Sequence, residues 1–161
     1  EAMGRAGVVA GVLRNKLRLS RCLSLLGDLK ASADILEAET PAPTEPSMGV
    51  GLMSYRSQVK VSQGRMRGAF EDADAAVRLA SSGTRRDLVD SLLHRASYAL
   101  AAADAAAAAA DLASAKRASE SLRGVHRPFE DALLGYAQTQ LLILKGDFAA
   151  GAVSSELACL T

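Results

Sequence analysis

Four segments of the chain carry the same spacing of small residues around a turn, and few folds other than a run of helical hairpins can use such a pattern. The turns are Gly27-Asp28, Gly64-Arg65, Ala103-Asp104 and Gly146-Asp147. Seven residues before each turn stands Ser20, Ser57, Ala96 or Thr139, and five after it stands Ser32, Ala69, Ala108 or Gly151. Twelve after it, three of the four segments place an alanine (Ala76, Ala115, Ala158), while the first places Glu39. A small residue on each arm lets two antiparallel helices approach closely, and the next one along lets a further hairpin pack behind.

The apolar content supports helices with thin interfaces. Of the 161 residues, 49% are hydrophobic but only 4% aromatic, with no tryptophan, so alanine and leucine supply the core. Nineteen basic and 18 acidic side chains leave a formal charge of +1, which provides no global field for nucleic acid or an anionic membrane. Cys22 and Cys159 are far apart, fit no metal or redox spacing, and are expected as buried free thiols in a reducing, cytoplasmic setting. The most apolar window, residues 98–113, is interrupted by Asp104 and Asp111 and is too short to span a bilayer.

Helical spacing predicts a first hairpin over about 7–38, with Val9, Val12, Leu19, Leu23 and Leu26 as the stripe of its first arm and Leu29, Ala33 and Leu36 facing it. Residues 40–47 hold three of the four prolines and read as a loop. A second hairpin follows over about 50–81 and a third over about 84–122, opened by Thr84 and Asp87 as a capping box. The six-alanine run 105–110 reads as the close-packing arm of that third hairpin. A fourth is expected over about 127–160, with Pro128 in its first turn. The expected whole is one all-α domain over 1–161, an α-α superhelix of about four antiparallel hairpins. An array open at its last hairpin reads as a segment of a longer chain, or as one that covers Val153, Leu157 and Leu160 by forming a homodimer through the C-terminal hairpin.

The stretches Leu23-Ser24-Leu25-Leu26-Gly27-Asp28-Leu29 and Leu141-Leu142-Ile143-Leu144-Lys145-Gly146-Asp147-Phe148 resemble the middle of tetratricopeptide (TPR) repeats, where a glycine-aspartate turn joins two antiparallel helices. The turns lie 37, 39 and 43 residues apart, against about 34 in the standard repeat. With the alanine- and arginine-rich texture, this resembles the divergent arrays of large bacterial transcription regulators of the LuxR type. The resemblance implies a TPR-like right-handed solenoid acting as a sensing or partner-binding arm between a nucleotide-binding and a DNA-binding module. The sequence itself holds no Gly-x-x-x-x-Gly-Lys-Ser/Thr phosphate loop, so neither nucleotide hydrolysis nor direct nucleic-acid binding is expected of it.

The resemblance also implies that ligand contacts come from first-arm residues on the concave face. Carried over by distance from each turn, these are Arg14, Leu17 and Arg21, then Ser54 and Gln58, then Asp90, Leu93 and Ser97, then Leu133, Tyr136 and Gln140. A groove so lined suits a protein or peptide partner. Leu17, Leu93 and Leu133 have a second reading as ordinary core. Arg14, Arg18 and Arg21 share one helix face and could receive an acidic peptide or a phosphate, or form a solvated face. Arg85-Arg86 opposes the helix dipole at a helix start, which favours a partner contact there.

His94 and His126 have no nucleophile, carboxylate or cysteine at a catalytic or metal-binding spacing, and no enzyme, metal or cofactor is expected. The function expected is protein or peptide binding. Two alternatives stand beside it: a structural self-association module, and a small-molecule effector pocket in the concave groove using Tyr136 and the arginines.

Overall fold

The computed structural model describes residues 2–39, 46–122 and 127–147. They form seven α-helices in the order α1 (Ala2–Leu25), α2 (Leu29–Glu37), α3 (Pro46–Ser62), α4 (Met66–Ala80), α5 (Arg85–Ala101), α6 (Ala105–Ser119) and α7 (Arg127–Leu144), with no strand among the described residues. The chain is all-α in these parts and divides into two compact units, residues 1–83 and 84–161.

Each turn solves the same backbone problem. Gly27, Gly64 and Gly146 adopt φ of 86°, 73° and 78°, and Ala103 stands alone among the described non-glycine residues with a positive φ, 59°. That left-handed residue closes the preceding helix, and the amide after it reaches back to an otherwise orphaned carbonyl. Asp28 N donates to Leu23 O at 2.9 Å, Arg65 N to Lys60 O at 2.8 Å, Asp104 N to Ala99 O at 2.8 Å, and Asp147 N to Leu142 O at 2.9 Å. At two of the turns an aspartate then starts the next helix, whereas Arg65 opens α4 without a side-chain cap. Asp28 Oδ1 accepts from Ala31 N at 3.0 Å and Asp104 Oδ1 from Ala107 N at 2.9 Å, satisfying an N-terminal amide that the helix cannot. At Gly27-Asp28 and Ala103-Asp104 a left-handed residue followed by aspartate thus ends one helix and opens the next within two residues. Thr84 caps α5 in the same way, accepting from Asp87 N at 3.1 Å.

In the first unit α1 pairs with α2 and α3 with α4, and α3 also packs on α1 and α2. The core is Leu13, Leu17, Ala33, Leu36, Leu52, Met53, Val59 and Ala76, with Tyr55 and Leu79 packed against it. Ser20 and Ser32 are fully buried between the arms, where their hydroxyls lie 2.7 Å apart and Ser32 Oγ donates to Ser20 O at 2.9 Å. The small side chains let the helices approach, and each buried hydroxyl finds a partner.

In the second unit α5 pairs with α6, and α7 packs on both. Val89, Leu92, Ala96 and Ala99 of α5 are buried, as are Ala108, Leu112 and Ala115 of α6 and Leu134 and Ala137 of α7. Thr139 is buried on α7 and returns its hydroxyl to Gly135 O at 3.0 Å.

Three sequence expectations are corrected. The buried stripe of α1 is Leu13, Leu17 and Ser20, whereas Val12, Leu19 and Leu26 are 49%, 52% and 83% exposed. Cys22 is a free thiol on the exposed side of that helix, not a buried one. α3 begins at Pro46, within the expected loop, because proline suits the first helical turn, where no amide is required. The rest of the proline loop, residues 40–45, lies outside the described residues, as do His126, Cys159 and the C-terminal arm that carries Val153, Leu157 and Leu160.

Candidate peptide-binding groove

The second unit contains a cavity of about 570 Å³ between α5 and α7. On α5 its wall is Asp90, Leu93, His94, Ser97, Leu100 and Ala101, and on α7 it is Leu133, Tyr136, Ala137, Gln140, Ile143 and Leu144. Both series advance by threes and fours, the interval that keeps side chains on one helix face. Leu93 and Ala137 are buried and make the floor. Tyr136 is 64% exposed, and Leu133, Ile143 and Leu144 are also exposed, so the walls are apolar and open to solvent.

Polar groups interrupt the apolar surface at few points. Ser97 Oγ donates to His94 O at 2.7 Å, within its own helix, which leaves its oxygen as an acceptor. Asp90 pairs with Arg86 one turn earlier at 3.9 Å, an exposed pair of small energetic weight. Burial pushes the His94 imidazole below its ordinary pKa, while the Asp90 carboxylate and a hydrogen bond to the Asp90 backbone act in the opposite direction. At neutral pH the histidine is therefore an uncharged wall residue.

The sequence-derived positions of the third and fourth hairpins, Asp90, Leu93, Ser97, Leu133, Tyr136 and Gln140, all line this cavity. Those of the first two hairpins belong to the other unit. Arg14 and Arg21 are exposed on α1, Gln58 and Ser54 are half-buried on α3, and Leu17 is in the core. His94, Leu100, Ala101, Ile143 and Leu144 extend the groove beyond the positions read from sequence. One heptad step from Leu93 to Leu100, and from Tyr136 to Ile143, would have found the extension.

A second constellation was not anticipated. Asp72 of α4 accepts from Arg56 Nε at 2.9 Å and meets Lys60 Nζ at 2.6 Å, both cations on α3. Asp111 of α6 accepts from Arg95 Nε at 2.8 Å and from Arg95 Nη2 at 2.6 Å. Both aspartates are buried, and these bidentate pairs tie the two arms of a hairpin together. The signal was present in the sequence as an arginine eight residues before a turn and an aspartate eight after it. Among the described residues no three His, Cys, Asp or Glu side chains gather to hold a metal ion, and no described helix is long and apolar enough to cross a membrane.

What the described residues define is an all-α protein of helical hairpins with an open apolar groove. No protein-family model matches the chain, and neither does any curated protein or solved structure.

Proposed function

We propose that the chain is a protein- or peptide-binding module of TPR-like hairpins, and that the α5–α7 groove receives an apolar stretch of its partner. The observation that carries this reading is the groove itself, with an alternation of leucine, isoleucine and tyrosine walls and a buried floor at Leu93 and Ala137. Exposed apolar surface of that kind, edged by a few polar groups, is suited to contact with another protein. The exposure of Tyr136 and Leu133 favours a peptide over a small effector, since small-molecule sites enclose about 70–90% of their ligand. A right-handed superhelix and a place as the sensing arm of a bacterial LuxR-type regulator complete the proposal, and their support is the Gly-Asp turns and the small-residue register. In that setting the groove would couple partner capture to activity elsewhere in the polypeptide.

Selection of a phage-displayed peptide library on the full chain tests the site. Selected peptides should carry two or three large apolar residues, and Tyr136→Ala or Leu133→Asp should weaken their binding by about tenfold or more, as loss of an aromatic or central anchor does. Selected peptides that bind both variants undiminished would remove the groove as the site.

A further inference from the structure

The groove between α5 and α7 has a counterpart in the first unit at the same distances from the turns. On α5 the residues thirteen, nine, six and two before Ala103 are Asp90, His94, Ser97 and Ala101, and all four line the groove. The same distances before Gly146 give its other wall, Leu133, Ala137, Gln140 and Leu144. Counted back from Gly27 on α1, they give Arg14, Arg18, Arg21 and Leu25. Counted back from Gly64 on α3, they give Gly51, Tyr55, Gln58 and Ser62. Steps of four, three and four keep each row within an arc of about 60° on its helix. The two rows of the first unit are neighbours. Leu17, on the inner edge of the α1 row, brings its Cδ1 to 3.6 Å from where a Cβ on Gly51 would stand.

The chemistry of this face differs from that of the groove. Its α1 row is fully exposed and holds three guanidinium groups, its α3 row is uncharged, and neither row contains an acid. None of the three arginines makes a hydrogen bond or ion pair with any described residue. Other cations of the same unit are matched: Lys16 with Glu39, Lys30 with Asp34, Arg65 with Glu37, and Arg67 with Glu71. Three like charges on one helix face repel one another, so the row costs stability that an acidic ligand would restore.

We infer that the α1–α3 face of the first unit binds an acidic peptide segment of a partner protein. Its carboxylates would lie along Arg14, Arg18 and Arg21, and an apolar side chain beyond them would rest on Leu25, which is 80% exposed. The three arginines are strung over about 10 Å of helix, so they match a row of carboxylates better than one phosphate. Nucleic acid is a poorer fit, because Tyr55, the one aromatic ring of the two rows, is packed against the core and the net charge is only +1. A membrane is poorer too, since three arginines fall short of the clusters of about 4–8 cations that hold anionic lipid. The inference uses the register that α1 and α3 share with the α5–α7 groove, and does not depend on what that groove binds.

The full chain can be titrated into a fluorescein-labelled synthetic peptide that carries a run of glutamates followed by leucine. The same peptide with glutamine for every glutamate is the comparison, and single-stranded oligothymidine and phosphatidylserine vesicles are the other two arms. The glutamate peptide should bind, more weakly as salt is raised, and the glutamine peptide should bind about tenfold less tightly, as expected for the loss of three exposed ion pairs. Arg14→Gln, Arg18→Gln and Arg21→Gln together should weaken the glutamate peptide by a similar factor. Arg14→Glu, Arg18→Glu and Arg21→Glu together should instead favour a peptide carrying lysines. Lys30→Gln with Arg67→Gln, which removes two exposed cations outside the face, should leave binding unchanged, and so should Tyr136→Ala in the groove. Absence of binding by the glutamate peptide, equal binding of the glutamate and glutamine peptides, or no effect of the triple glutamine variant would each overturn the inference. So would arginine-dependent binding of oligothymidine or vesicles tighter than that of the peptide.

Discussion

Arg95 holds Asp111 through two hydrogen bonds, and the two residues stand equally far on either side of the turn at Ala103. Arg56 and Asp72 do the same around Gly64, with Lys60 as a third partner. Because the aspartate in each pair is buried, the arginine is the reason that its charge is tolerated there. Asp111→Ala should therefore destabilise the chain by about 2 kcal/mol. That is below the 3–5 expected for a fully buried pair, because Arg95 keeps partial contact with water. Replacing both residues, with Arg95→Met and Asp111→Leu, should recover most of the loss in urea unfolding. A single variant as stable as the parent would mean that the pair is incidental.

Asp72 supplies a pH dependence of definite sign. Burial alone would raise its pKa, but hydrogen bonds from Arg56 and Lys60, and their charges, hold it below its ordinary value. A carboxyl with a folded-state pKa below its unfolded one contributes stability that is fully present above the unfolded value. That stability is lost as pH falls from about 4 through the folded value. The stability gap between the parent chain and Asp72→Asn should thus be widest at neutral pH and should narrow below about pH 4. Urea unfolding of both proteins at neutral and acid pH measures the gap, and a constant difference would contradict the linkage.

The turns were legible in the sequence because what they require is local. A left-handed residue and an aspartate cap involve only a few neighbouring positions, so Gly-Asp announces them without knowledge of the tertiary structure. The groove positions of the third and fourth hairpins were legible for a related reason, since distance from the turn fixes helix phase. The face of α1 was not. Its apolar residues fall on two stripes, and periodicity alone cannot choose between Leu13-Leu17 and Val12-Leu19. Ser20 could have decided it, because the small residue that the repeat places between the arms lies in phase with Leu13 and Leu17 and is buried with them. The Arg-Asp pairs escaped because their partners are matched across a turn, outside the local windows that reveal helix periodicity.

Ala103 is the one turn residue that departs from glycine, and the left-handed conformation costs a residue with a Cβ about 1–2 kcal/mol. Ala103→Gly removes that strain and adds about 0.4–1 kcal/mol of unfolded-state entropy, for a net stabilisation of about 0.5–1 kcal/mol. The reverse change at Gly64 should cost a similar amount, and purely through the backbone, since a Cβ there would meet no atom within 4 Å. Thermal unfolding should therefore move in opposite directions for Ala103→Gly and Gly64→Ala. Shifts of the same sign would show that the turn conformation is not what governs them.

Ala108 gives the most direct test of the hairpin register. Ser20 and Ser32, seven before one turn and five after it, touch through their hydroxyls, and Ala96 and Ala108 occupy the same two places around Ala103. Both alanines have no exposed surface. Leucine is nearly as good a helix former as alanine, so Ala108→Leu should be almost neutral if helix propensity alone mattered. Between closely packed arms the added side chain has nowhere to go, and overpacking should destabilise the chain by about 1–3 kcal/mol. Ala106→Leu, at an exposed position on the same helix, should stay within about 0.5 kcal/mol of the parent. Ala69→Leu should repeat the large effect in the other unit, where Ala69 and Ser57 hold the corresponding places with no exposed surface. Chemical denaturation of the three variants compares them directly. If Ala108→Leu and Ala69→Leu behave like Ala106→Leu, the small residues do not set the approach of the helices, and the four-fold spacing has some other cause.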